Sequence, residues 1–314
     1  MASPSHSSGN VDEDGATGSD TVSMVEDIND ALDIEPAGPG RFRANSLRDI
    51  GEGDVVFGGQ FLAQIIMAAA TVDPAKSLKY VSAVFGRPAV RHEPMDIEVE
   101  AMHGGRSFAT VSVSVLQHDK LCARGIALLS SEEPDIIRHE ATMPKVDGPD
   151  ESLLYDGARV GADATIAGGR EMRIVGGFHP GEPSLVRDPV LRHWARGPGL
   201  DGNPAKSQAF VAFVSAGPNI SMAMLPHDGF GTMMAHQSVS TGIMTHSVTF
   251  HEPMDAREWL LFDHVSPYAG HGRSYARGDV YRRDGQLVAS FVQDAMIREF
   301  PTDPGVARGG RTVL

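Results

Sequence analysis

Cysteine is almost missing from this chain: Cys122 stands alone, inside an apolar run. One thiol cannot form an intramolecular disulfide, so no covalent staple holds the fold, and a reducing compartment is the expectation. Cys122 itself reads as a small buried hydrophobe rather than a nucleophile. Positive charge is scarce too, with 27 Lys and Arg against 41 Asp and Glu and a formal net charge of −14. So acidic a surface repels phosphate backbones and anionic lipid, which argues against nucleic-acid and membrane-surface partners. A local basic notch for one phosphorylated ligand stays possible. Long hydrophobic runs are also lacking. The longest apolar helical stretch, 61–72, contains Gln64 and is too short to span a bilayer. No basic n-region precedes an apolar h-region, so the expected location is the cytoplasm. No Gly-x-Ser-x-Gly elbow, P-loop or dinucleotide fingerprint occurs. The histidines His227, His236, His246 and His251 match no zinc spacing, so neither metal nor cofactor is expected.

What the chain does have, in 314 residues of which 41% are hydrophobic, is one message written twice. Gly105-Arg106-Ser107-Phe108-Ala109 is answered by Gly272-Arg273-Ser274-Tyr275-Ala276. Phe85-Gly86-Arg87-Pro88 is answered by Phe250-His251-Glu252-Pro253, and Asp119-Lys120-Leu121 by Asp284-Gly285-Gln286-Leu287. The order is the same and the spacings are nearly equal, which predicts one fold built twice in tandem. A second match, His-Glu-Pro-Met-Asp at 92–96 and at 251–255, would make those spacings unequal and is read as chance.

Local patterns fill in the two copies. Ser23 and Glu26 resemble a capping box for a short helix reaching Leu32. After Gly58-Gly59-Gln60 comes the run 61–72, apolar on nearly every side, as in a helix buried all round, and Pro74 marks its end. Ile97, Val99 and Ala101 alternate with charged residues, and Val111, Val113 and Val115 alternate with serines, the period of half-buried antiparallel strands. A third strand is predicted at 121–129. The segment 131–200 is polar and rich in Pro, Gly and Asp, with a strand possible at 190–195. A second helix is expected at 206–214, interrupted by Gly217-Pro218, with strands at 243–250, 258–266, 274–282 and 287–298. The expected organisation is a disordered tail at 1–22, one unit at 23–135, a connector at 136–185, a second unit at 186–302 and a tail at 303–314.

A long buried helix wrapped by a curved antiparallel sheet is the hot-dog architecture, and two in tandem make a double hot dog of the α+β class. The residues Val56-Phe57-Gly58-Gly59-Gln60, the Phe-x-x-Pro and Gly-Arg-Ser landmarks, Glu258-Trp259-Leu260-Leu261, and 284–294 also resemble the acyl-CoA thioesterase II family over most of 24–300. The resemblance implies hydrolysis of fatty acyl-CoA to free acid and CoA, without a cofactor, by a protein that self-associates. It also implies three groups in the second hot dog that hold and activate a water: a helix Asp, a strand Ser or Thr, and a Gln on the last strand. Gln293 stands at the Gln position, where the first copy has Ala127. Ala216 stands at the Asp position and Ile243 at the Ser or Thr position. Of the neighbours Ser215, Asn219, Thr245, His246 and Asp294, Thr245 is the expected substitute hydroxyl, because two residues along a strand share a face. Asp294 should face away from Gln293. Gly58 and Gly59 serve either close helix packing or an offer of backbone amides to a thioester carbonyl. Arg106 and Arg273 are either solvated turn residues or contacts to the phosphates of CoA. The alternative function is an acyl-CoA or acyl-thioester binding protein of the same fold, impaired in catalysis by Ala216 and Ile243.

Overall fold

The computed structural model describes residues 24–48, 54–157, 159–231, 234–235 and 238–299. The expected tails, the cap at Ser23 and His236 lie outside them. The first half runs α1 (Ile28–Ala31), β1 (Glu35–Gly38), β2 (Arg41–Ala44), α2 (Gly58–Ala70), β3 (Ser77–Phe85), β4 (Met95–Gly104), β5 (Phe108–Gln117) and β6 (Lys120–Ser130). Next come β7 (Leu153–Leu154), β8 (Glu171–Ile174), β9 (Val190–Arg196), α3 (Pro204–Ala216), α4 (Asn219–Met224), β10 (Val239–Phe250), β11 (Leu260–Gly270), β12 (Arg273–Arg282) and β13 (Leu287–Glu299). Within the described residues α1 is a single turn. It starts at Asp27, whose carboxylate accepts from the Asn29 amide, rather than at a capping box four residues earlier.

The strands form one antiparallel sheet in the order β1-β2-β4-β5-β6-β3-β10-β13-β12-β11-β9-β8-β7. Read outward from its middle, the order repeats itself. β3, β6, β5, β4 and β2 on one side correspond to β10, β13, β12, β11 and β9 on the other. The two halves meet where β3 pairs with β10, at Ser82 opposite Ser247, and the Ser247 hydroxyl donates to the Ser82 hydroxyl at 2.8 Å. Phe85 ends β3 as Phe250 ends β10, which upholds the Phe-x-x-Pro register over the pentapeptide. The Gly-Arg-Ser landmarks sit at the β4–β5 and β11–β12 turns, and the Asp landmarks at the β5–β6 and β12–β13 turns. This is a tandem double hot dog.

Helix α2 lies on the inner face of β3 to β6, as an all-round apolar sequence requires, with Leu62, Ile65 and Ile66 fully buried. Its two glutamines are structural. Gln60 and Gln64 both donate to the Asn45 carbonyl, Gln60 also accepts from the Leu47 amide, and Gln64 also donates to the Ala31 carbonyl. Helix α3 packs on α2 and β10. The buried Lys206 ammonium, in the first turn of α3, meets Asp33 at 2.6 Å and Asp201 at 2.9 Å, which ties α3 to the segment after α1. Gly217-Pro218 ends α3, and α4 continues beyond it over β11, β12 and β13. The polar segment after β6 is more than a connection: β7 and β8 extend the second half's edge beyond β9. Among the described residues no helix is long and apolar enough to cross a membrane.

Candidate active site

The duplication breaks inside the second half's core. In the first half Val81 of β3 pairs with Ala127 of β6, and both are buried hydrocarbon. At the matching position of the second half, His246 of β10 pairs with Gln293 of β13. Both are inward-facing and sealed, at 0% and 1% exposure. Directly opposed residues of an antiparallel pair share a face, so His246 and Gln293 stand side by side beneath α3.

Around them runs a chain of buried hydrogen bonds. The Asn219 amide nitrogen, at the start of α4, donates to the Ser215 carbonyl at 2.7 Å and to Gln293 Oε1 at 3.1 Å. Asn219 Oδ1 lies 2.8 Å from His264 Nδ1, and His264 Nε2 lies 3.1 Å from His193 Nε2. On the other side Ser215 Oγ donates to the Ala212 carbonyl and lies 2.9 Å from His246 Nε2. The Ser215 carbonyl can only accept, which fixes the Asn219 amide and everything after it. His264 therefore donates from Nδ1, and His193 donates from Nε2. Gln293 has its carbonyl engaged and its Nε2 turned elsewhere. Three polar atoms of this cluster have no hydrogen-bond partner: Gln293 Nε2, His246 Nδ1 and His193 Nδ1.

Burial holds all three imidazoles neutral. His193 and His246 are each pulled down to about 3, in His246 against the upward pull of Gln293. His264 is pushed well below the usual histidine range by burial and then by its two neighbouring histidines. His193 stacks on Phe262 with ring centroids 4.9 Å apart, and His264 packs on Phe291 at 4.8 Å. Among the described residues no group of three or more His, Cys, Asp or Glu is placed to hold a metal ion.

The first turn of α2 is bordered by hydrocarbon. A methyl group built on Gly59 would come within 3.0 Å of Ala216 Cβ, and one on Gly58 within 3.3 Å of Ile243 Cδ1. Ala216 and Ile243 therefore converge on this turn, where Phe57 meets Phe213 edge-on at 5.2 Å. No side chain caps this helix start.

The Acyl-CoA thioesterase N-terminal domain model matches residues 47–130, and the Acyl-CoA thioesterase C-terminal domain model matches residues 143–297. The chain belongs to the acyl-CoA thioesterase family. Acyl-coenzyme A thioesterase 8 of Rattus norvegicus is 29% identical over 273 residues, covering 78% of this chain and 81% of the relative. Acyl-CoA thioesterase 2 of Haemophilus influenzae is 29% identical over 262 residues, covering 77% and 87%. Acyl-CoA thioesterase II TesB2 from Mycobacterium marinum superposes with a TM-score of 0.71 at 25% identity, covering 88% of this chain and 99% of that one. A conserved hot-dog protein of unknown function from Alicyclobacillus acidocaldarius has the same fold, with a TM-score of 0.68 at 20% identity and coverage of 87% and 98%.

Within this thioesterase-family fold, the residues expected from sequence fall into three groups. Gln293 lies in the buried hydrogen-bond network, and Gly58 and Gly59 lie on the first turn of α2 against Ile243 and Ala216. Thr245 lies in neither place. The β10–β13 register passes from Ile243 opposite Ala295 to Thr245 opposite Asp294, leaving Met244 as a bulge. The extra residue turns Thr245 onto the outer sheet face beside Asp294 and opposite Val84, and brings His246 inward. The two-residue rule that favoured Thr245 fails because the strand is bulged there. Asp294 does face away from Gln293. Arg106 is exposed in the β4–β5 turn. Arg273 is exposed and pairs with Asp294 at 3.2 Å on the outer face. Neither arginine joins the buried network. Sequence reading passed over His193 and His264. Their signal was phase: His193 alternates with Leu191 and Ala195, and His264 with Phe262 and Leu260, all inward-facing.

Proposed function

We propose that this protein hydrolyses fatty acyl-CoA thioesters to free acid and CoA, at the buried network around Gln293. The observation that carries this reading is Gln293 itself. It is a sealed carboxamide at the place where the other half of the molecule has hydrocarbon, with its carbonyl held by Asn219 and its amide donor uncommitted. A fixed, desolvated N–H donor suits either an attacking water or the oxyanion that forms on the thioester carbonyl. The amides opened by Gly58 and Gly59 would supply a second donor set. Ile243, Phe57 and Phe213 offer apolar surface to an acyl chain. Thioester cleavage needs water and polarisation, so no cofactor enters the reaction. A single buried cysteine accords with a cytoplasmic setting. Self-association belongs to this reading. Val84, Ile126 and Val292 are 60%, 51% and 40% exposed on the outer sheet face, and light scattering on the purified chain tests it.

The test of activity is release of CoA from short-, medium- and long-chain acyl-CoAs. Turnover that drops on the order of 10²-fold in Gln293→Ala supports the assignment. A second reading, an acyl-CoA binding protein with little or no turnover, is favoured by Ala216 and Ile243 closing on Gly59 and Gly58. Saturable binding with no release above background would select it.

A further inference from the structure

The thioesterase reading leaves one chemical need unmet: Ala216 and Ile243 offer the attacking water neither a carboxylate nor a hydroxyl. We propose that His246 meets this need, Nδ1 accepting the proton of a water that Gln293 Nε2 holds beside it. The inference rests on the thioester-hydrolase reading and goes beyond it by naming the base.

Three observations carry it. First, the tautomer follows from the hydrogen bonds. Ser215 Oγ spends its one proton on the Ala212 carbonyl at 3.2 Å, so the 2.9 Å contact with His246 is donated by Nε2–H. Nδ1 is then a bare lone pair. The other tautomer would bury an Nδ1–H without an acceptor, because Nδ1 has no hydrogen-bond partner. Second, the two unpartnered atoms are complementary. Gln293 offers a donor and His246 an acceptor, from residues opposed in register on one face. Leaving both unpaired would carry the full desolvation penalty of each group, and native folds rarely keep such a pair. One water between them has the two partners that a buried water minimally needs. Third, the arrangement is specific to this half, since the equivalent pair is Val81 and Ala127.

The step balances as follows. The water oxygen bonds to the thioester carbonyl carbon while its proton passes to Nδ1, giving an imidazolium beside an oxyanion that Gln293 Nε2–H faces. The C–S bond then breaks, and the Nδ1 proton passes to the departing thiolate. Free acid and CoA leave, and His246 is again neutral with Nε2–H on Ser215. Burial, which keeps the imidazole uncharged at neutral pH, keeps the lone pair available. The charge formed on the ring is offset by the oxyanion, so the penalty falls on a pair rather than a lone ion.

The experiment combines kinetics with a spectrum of the unmodified protein. His246→Phe keeps the ring packing and His246→Asn keeps a small polar group, but neither can take up the proton. Both should keep the wild-type KM and lose about 10²- to 10⁴-fold in kcat, a split that a loss of stability alone would not produce. Imidazole ¹⁵N shifts of the wild type should show His246 protonated on Nε2 alone. Wild-type kcat in both variants overturns the inference, as does a proton on Nδ1. If Gln293→Ala still abolishes release in that case, the hydrolase reading stands without this base. Wild-type protein that releases no CoA from any acyl-CoA sinks both together.

Discussion

Acidification from pH 8 to 5 should remove a substantial part of this fold's stability, through three buried side chains. His193, His246 and His264 are each 0% exposed, and burial depresses all three, the first two to about 3. In the unfolded chain each titrates near 6.5. The sign follows directly. Below about pH 6.5 the unfolded state takes up protons that the folded state refuses, so stability falls with pH down toward the folded value. At pH 5 the difference for His193 and His246 is about 1.5 pH units, or roughly 2 kcal/mol each at 1.36 kcal/mol per unit. Together they give on the order of 4 kcal/mol, against a typical total of about 5–15 kcal/mol, and His264 acts in the same direction. Asp201, Asp255 and Asp284 are depressed by their cationic and backbone partners, and so act only at lower pH. Asp263, raised by burial, opposes the trend as a single half-buried group. Urea unfolding at pH 8, 7, 6 and 5, followed by tryptophan fluorescence, measures the effect. The midpoint should fall below pH 6.5, and His193→Phe should restore roughly 2 kcal/mol of the loss at pH 5. A midpoint that stays level from pH 8 to 5 would refute the argument that these rings are buried and neutral.

Three further outcomes are expected. Thr245→Val should leave kcat and KM unchanged, because Thr245 lies on the outer face; a loss of turnover on the scale of Gln293→Ala would show that the bulge at Met244 is wrong. Gly59→Ala should destabilise the fold by about 1–3 kcal/mol, since its new methyl meets the Phe213 carbonyl at 2.8 Å, and backbone cannot step aside; an unchanged melting temperature refutes the close approach of α2 and α3. Asn219→Leu, similar in volume, strands the Ser215 carbonyl, Gln293 Oε1 and the His264 Nδ1–H. It should lower the melting temperature by the equivalent of about 1–3 kcal/mol and reduce kcat more than it changes KM, and kinetics alongside calorimetry check both.

Much of this architecture is legible in the chain because the signals are local and repeated. The alternation around Ile97 and Val113, the all-round apolar run into α2 and the Gly217-Pro218 break each act within a few residues. Their duplication gives two independent readings of one fold. The site is harder to read because it depends on register. Thr245 and His246 are neighbours, and which of them faces Gln293 is decided by a one-residue bulge that no composition or period announces. His193 and His264 come from strands 71 positions apart that pair only once the sheet exists. β8 escaped notice for a similar reason. Four residues of mixed polarity carry no period of their own, and they become a strand by pairing with β9.

The ladder at Ser82 and Ser247 bears on how this molecule can be taken apart. A protein cut between β6 and β9 would leave each fragment with a bare strand flank, β3 on one and β10 on the other, whose amides and carbonyls seek another chain. Fragments made separately should therefore be sticky and short-lived alone, yet restore one another when mixed. For the same reason, neither half of such a duplicated chain can be discarded, even though the buried His246–Gln293 pair stands in only one of them.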